Sequence, residues 1–418
     1  MRFLAGFLAL ALPALAELSA EQKQLNVDSF EKVWTTIRDK HWEKKPGGLD
    51  WKAVHDELRP KIDKAQTMDE ARAIMRDMLG RLKQTHFGIF PADVYKDVDE
   101  AVKGEGSAGI DLRVLDGQAV VTSLDPGSPA EKAGVKPGWA IKSVNGKELA
   151  PLIQRLKGDA TLHELQVDRV LLAALSGPVD GKIKVAFLTG GNQSKIVELK
   201  LGSPRGQLST FGNLPGMHVW FESKKIGNTG YLRFNMFLDL VHIMANFGDA
   251  VSSCSKCDGL IIDLRGNPGG IGGMAMGMAG FLVDKPDQQL GTMYMRDTKL
   301  NFVINPRSEV FAGPVAVLVD SNSASTSEIF AGGLKDLDRA RVFGTRTAAA
   351  ALPSMIERLP NGDGFQYAMA NYISKGGKPL EGLGVVPDVE VKLTREALLA
   401  GHDPVIDAAV EWIKKQRN

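Results

Sequence analysis

Cysteine is nearly absent: two residues, Cys254 and Cys257, occur among 418. That scarcity excludes a small disulfide-stapled scaffold, and their closeness in "SSCSKCDGL" suits a local disulfide in an exported chain. A redox pair usually opens a helix after a strand, whereas this one closes a helix and leads into a strand. Net charge is also nearly absent. Lys plus Arg number 51 and Asp plus Glu 50, for a formal charge of +1, so no broad field points to nucleic acid or to an anionic membrane. The expected partner is a small molecule or a protein. There is no zinc-ligand spacing and no nucleotide-binding glycine motif, and neither a metal nor a cofactor is expected.

Long apolar runs are missing too. The one candidate, Phe3 to Leu12, follows Arg2 and precedes Pro13 and the small-x-small triplet Ala14-Leu15-Ala16. It falls short of the roughly 20 residues that span a bilayer. The pattern is that of a secretory signal peptide, residues 1–16, cleaved after Ala16. No Cys follows that site, which excludes lipid attachment there. The expected location is secreted or periplasmic, with no stable membrane span.

A prior of about 100–200 residues per domain suggests two or three domains. From Val27 to Leu82 apolar residues recur at helical spacing, so residues 17–102 read as a helical domain, with Asp50 and Asp69 as N-caps of its second and third helices. From about Lys103 the texture turns to short alternating runs with Gly and Pro. "SPAEKAGV" reads as a short helix closed by Gly134, and Val144-Asn145-Gly146-Lys147 as a two-residue hairpin. Residues 103–202 resemble a PDZ domain. On that resemblance Ala108, Gly109, Ile110, Asp111 and Leu112 form a carboxylate-binding loop, whose N–H groups would hold a peptide C-terminus while the peptide adds as a strand. Beyond a Gly/Pro/Ser-rich linker, strands alternate with helices over 203–418, which implies an α/β domain.

In "VAVLVDSNSASTSEIFAGGL", Val315 to Val319 read as a buried strand and Ser327 to Leu334 as a helix. The serines lie on the turn between them. A serine there meets the positive end of the helix dipole and unpaired N–H groups, which suits an acyl-transfer nucleophile as well as an N-cap. A second stretch, "GLIIDLRGNPGGIGG", ends a strand in glycines that let backbone N–H groups approach a ligand.

Together, "DLRGNPGG", "SNSASTSEIFAGGLKD" and the preceding PDZ-like region resemble the C-terminal processing and tricorn-like serine peptidases. The resemblance implies a crotonase/Clp-protease-like α/β catalytic domain in a multidomain α/β chain, and protein or peptide substrates. It makes Ser325 the nucleophile and leaves Ser323 and Ser327 structural. The processing branch takes its base from a lysine after the nucleophile, but Ala350 stands at that place. A Ser–Lys dyad is therefore excluded there. The tricorn-like branch offers a histidine preceded by a hydroxyl residue, matched by Thr85-His86, and a glutamate matched by Glu381 in "PLEGLGVVPDVEV". His86 would be the general base, with Glu381 and Thr85 orienting it. Gly269 or Gly270, with Thr326, would hold the oxyanion. The rival is a non-catalytic binding protein for apolar ligands or peptides on the same fold, as in interphotoreceptor retinoid-binding proteins.

Overall fold

The structure, a computed structural model, describes residues 18–92, 105–155 and 160–416. The expected signal peptide lies outside them. Among the described residues no helix is long and apolar enough to cross a membrane.

The N-terminal unit packs α1 (Ala20–Lys40), α2 (Trp51–Ile62) and α3 (Met68–Gly80) around Phe30, Val33, Ile37, Leu58 and Met75. Asp50 caps α2 as expected, accepting from Ala53 N–H. The cap of α3 is Thr67, whose hydroxyl accepts from Glu70 N–H, and Asp69 sits inside the first turn. Both residue types cap well and lie two apart, so the helix start decides between them. This unit also differs from a contiguous 17–102 domain. Its core takes in Phe365 and Tyr367 from a late hairpin, and Gly88–Phe90 pairs with Gly364–Ala368 of that hairpin. A buried Asp363 accepts both Arg72 Nε and Nη2. Thr85 and His86, between α3 and Gly88–Phe90, are thereby fastened to the far half of the chain.

The middle unit is an antiparallel sheet in the order β1 (Ile110–Leu115), β2 (Gln118–Leu124), β3 (Ala140–Val144), β4 (Lys182–Leu188), β5 (Ser194–Lys200). Helix α4 (Ala160–Ala174) lies along β1. The Asn145-Gly146 turn has both residues at positive φ, as a two-residue hairpin of this hand requires. Late residues join this unit as well: Leu398 packs on Val120 and Ala140, and Arg395 donates to the Gly138 and Thr189 carbonyls.

The third unit centres on a six-stranded sheet, β6 (Phe221–Ile226), β7 (Thr229–Phe234), β8 (Gly259–Asp263), β9 (Val315–Val319), β10 (Arg341–Gly344), β11 (Val389–Glu390). Only β6 runs antiparallel to its neighbour. All residues of β8 and β9 are buried, as expected of central strands covered on both faces. One face carries α5 (His242–Ser253), α6 (Gly272–Ala279) and α7 (Thr326–Asp336), and the other carries α8 (Pro404–Lys415). Cys254, which ends α5, is joined to Cys257 in a disulfide.

Candidate active site

Open α/β sheets place ligands outside the carboxyl ends of their strands. Here those of β8 and β9 run directly into "LRGNPGG" and "DSNSASTSE". Two buried serines tie the loops together. Ser323 Oγ donates to the Leu264 carbonyl at 2.8 Å, and Ser327 Oγ to the Asn267 carbonyl at 2.9 Å. Ser325 is the half-exposed residue in the otherwise buried run from Asn322 to Leu334. Its backbone is held at φ 54° and ψ −116°, a conformation that L-residues adopt at a cost of about 1–3 kcal/mol and that recurs where a turn must present a nucleophile.

The backbone donors around this turn are almost all engaged. Ser325 N–H is shared between the Ala350 carbonyl and Glu328 Oε2. Glu328 N–H lies within a loose capping box of the Ser325 side chain, but its bond is to the Ser325 carbonyl at 2.9 Å, and no side-chain cap bond forms. From Asn322 to Ile329, Thr326 N–H alone has no intramolecular acceptor among the described residues. Facing it is the glycine loop. A Cβ on Gly269 would come within 2.7 Å of Thr326 N and 2.8 Å of Ser325 Cβ, and one on Gly270 would collide with the Phe237 carbonyl. Of the two expected oxyanion donors, Gly269 N–H is taken by Asn267 Oδ1 at 2.9 Å, whereas Gly270 N–H is not.

The expected base side is built from two distant segments. Glu381 Oε1 accepts Thr85 N–H at 2.9 Å, and Oε2 accepts Thr85 Oγ1–H at 2.9 Å and Ala351 N–H at 3.0 Å. Thr85 Oγ1 lies 2.7 Å from His86 Nδ1. A hydroxyl has one proton to give, and here it goes to the carboxylate. His86 Nδ1 must therefore carry the proton of the second bond, which leaves Nε2 as a bare acceptor. No hydrogen bond joins Nε2 to Ser325 in this arrangement. Burial, and secondarily the Arg169 guanidinium, push the His86 pKa down to about 4, so the ring is neutral near pH 7. Lys378 is not paired with Glu381; the carboxylate is engaged by the donors named above, and burial raises its pKa.

The alanine run that replaces the lysine has a structural role of its own. Glu328, fully buried, accepts Thr347 Oγ1–H at 2.6 Å, Ala349 N–H at 2.9 Å and Ala350 N–H at 3.0 Å besides Ser325 N–H. Successive amides of Ala350 and Ala351 thus bind Glu328 and Glu381. Burial raises the Glu328 pKa to about 7 against the pull of those donors.

Sequence reasoning missed the charged layer behind the turn. Asp320 Oδ1 accepts the N–H groups of Gly266 and Asn322, and Oδ2 accepts Arg113 Nε at 2.8 Å from β1. Arg113 also meets Asp111 at 2.7 Å, while Asp168 of α4 accepts Asn322 Nδ2 at 2.8 Å. An aspartate closing an apolar strand before the serine run was the available signal for Asp320. Nothing local announced Arg113 or Asp168. The same network alters the expected carboxylate-binding loop: Ala108 N–H is used by the Leu175 carbonyl, Gly109 N–H by Ser107 Oγ and Leu112 N–H by Asp111 Oδ1. Three of the five N–H groups are thus already engaged, by the side chains of Ser107 and Asp111 and by the carbonyl just past α4, which differs from the open row of donors expected.

Residues 228–391 match the model of peptidase family S41, and residues 27–80 match the tricorn protease C1 domain. Over those two segments the chain is similar to peptidase family S41 and to the tricorn protease C1 domain. A probable CtpA-like serine protease of Staphylococcus aureus (strain bovine RF122 / ET3-1) is 29% identical over 345 residues, 81% of this chain and 63% of the relative. One of Staphylococcus haemolyticus (strain JCSC1435) is 27% identical over 333 residues, 77% and 60% of the two chains. The chain thus spans less than two thirds of the length of these curated relatives. Among solved structures, the photosystem II D1 C-terminal processing protease aligns with a TM-score of 0.60 at 23% identity, covering 91% of this chain and 95% of that one. Mature CPAF aligns at 0.63 and 15%, covering 95% and 97%. Those two likenesses are of fold. The segment that matches the S41 model, 228–391, contains Ser325 and Glu381, whereas Thr85 and His86 lie just beyond the C1 match.

Proposed function

We propose that this chain is an exported serine endopeptidase that hydrolyses peptide bonds through an acyl-enzyme on Ser325, with His86 as general base. The observation that carries the reading is the relay from Glu381 through Thr85 to His86 Nδ1, which leaves Nε2 as the proton acceptor. Ser325 gives its proton to Nε2 as Oγ attacks the carbonyl carbon, and the oxyanion develops toward Gly270 and Thr326 N–H. The imidazolium, stabilised across Thr85 by Glu381, then protonates the leaving amine, and water attacks the ester with the ring again as base. Closure of the cleft on substrate brings Nε2 to Ser325. The substrate is a protein or peptide. The PDZ-like unit, roughly 103–202, gates the cleft, since the outer edge of its β1 is filled by Asp111, Arg113 and Asp168. The helical unit supplies the base, and the remainder is the catalytic domain.

Hydrolysis of a quenched peptide library by purified protein tests this. Ser325→Ala is expected to lose at least about a thousandfold in kcat/KM while keeping its fold. Equal turnover by the variant would leave the contaminant or another residue responsible, and no turnover by either protein together with tight binding of an apolar ligand would favour the binding-protein reading.

A further inference from the structure

Among the described residues one arginine has no partner. Every other arginine whose side chain is described meets a carboxylate, a carbonyl oxygen or an aromatic ring. Arg169 meets none. It is open to solvent, yet enough protein surrounds it that desolvation alone acts on its guanidinium and lowers its pKa, with no acidic group raising it.

Its position follows from the helix that carries it. On α4, residues three and four apart share a face. Leu165 packs against Ala324, Ala348 and Ala350, and Asp168 holds Asn322 by its side-chain amide. The face of α4 turned to the nucleophile turn therefore includes position 169. The guanidinium also acts electrostatically on the His86 ring. An exposed guanidinium on the face turned to the Ser325 turn, with no counter-ion among the described residues, is free to take up an anion, and a carboxylate is the anion that a peptide can bring.

Resting on the peptidase reading above, we infer that Arg169 is a specificity residue that binds a carboxylate of the peptide on the leaving-group side of the scissile bond. The side follows from chemistry: the imidazole hands its proton to the leaving amine, so groups beside His86 face the residues after the cut. The carboxylate is either the peptide's own C-terminus or an Asp or Glu side chain. Because Arg presents a fork of donors, a planar carboxylate is preferred to a neutral amide of the same shape.

The test uses the full chain carrying Ser325→Ala, so that peptides bind without turnover. The probes are fluorescein-labelled alanine-rich peptides with a free or amidated C-terminus, each with Glu or Gln at an interior position, and the readout is anisotropy. The expected result is that a carboxylate-bearing form binds about tenfold tighter or more than its amide counterpart. Adding Arg169→Ala should erase that preference, while Arg169→Lys keeps part of it. Comparison of the C-terminal pair with the Glu/Gln pair assigns the source of the carboxylate. No binding, equal binding of all forms, or a preference that survives Arg169→Ala overturns the inference. The readout does not require hydrolysis. An Arg169-dependent preference in a chain whose wild type cleaves nothing would sink the peptidase reading and leave a carboxylate site standing.

Discussion

Glu328 and Glu381 bind adjacent amides of one loop, yet they do different things. Glu328 is fully buried, and its donors all come from the Ser325 turn and from residues 347–350. Glu381 is half-buried and joins the loop to Thr85, almost three hundred positions away in sequence. The first fixes the shape of one turn, and the second fixes one unit to another and sets a proton. Loss of the first should register mainly in stability, and loss of the second mainly in rate.

The largest separation between them should come from Glu381→Gln. The amide still fits, but it brings N–H donors to where Thr85 donates, so the hydroxyl is freed to donate to His86 Nδ1 and the base tautomer is no longer fixed. A fall in kcat of about a hundredfold or more is expected, with little change in melting temperature. A variant that melts early but turns over normally would reverse the assignment.

Glu328→Gln should do the opposite, costing about 1–3 kcal/mol of stability through donors left without an acceptor. It also has a pH signature. The folded-state pKa is raised to about 7 from an unfolded value of about 4.3. A raised carboxyl favours the protonated form in the folded chain, so its contribution is fully present below the unfolded value and is lost as pH rises through the folded one. The variant should lose that decline between about pH 4 and 7. Part of the slope will remain, because burial also raises Asp168 to about 7. Melting curves across that window check it; an unchanged slope would show that Glu328 stays ionised in the folded protein.

The smallest effect is expected at Thr85. Thr85→Ser keeps the hydroxyl and should stay within about threefold of wild type, whereas Thr85→Val breaks both bonds of the relay and should approach the Glu381→Gln rate. Equal activity of the Ser and Val variants would remove Thr85 from the relay.

What could be read from the sequence followed the range of each interaction. Strand Val315–Val319 and the helix after it were legible because both are fixed by local periodicity, and the observed helix begins one residue before the expected Ser327. Ser325 and the glycine loop were legible as motifs. The Arg113–Asp320 pair was not, because its members are separated by 207 positions and neither carries a local signature. The cap of α3 was misplaced by two residues for the reason given above. Ala350, at the expected lysine position, carries no titratable side chain, but that the amides of this run would clamp both glutamates depended on a fold not written in the run of alanines. The relation of His86 to Ser325 is likewise a matter of how units pack.

The central claim is that Ser325 is activated by a neutral His86 whose Nε2 is bare. The most direct measurement is the rate of fluorophosphonate labelling from acid to alkaline pH, with the modified peptide mapped by mass spectrometry. The account predicts labelling at Ser325 that falls off in acid near the depressed His86 value of about 4, where the ring takes up its proton. It also predicts labelling that His86→Ala abolishes. Labelling of Ser325 at an undiminished rate in His86→Ala, or at a different serine, would contradict it.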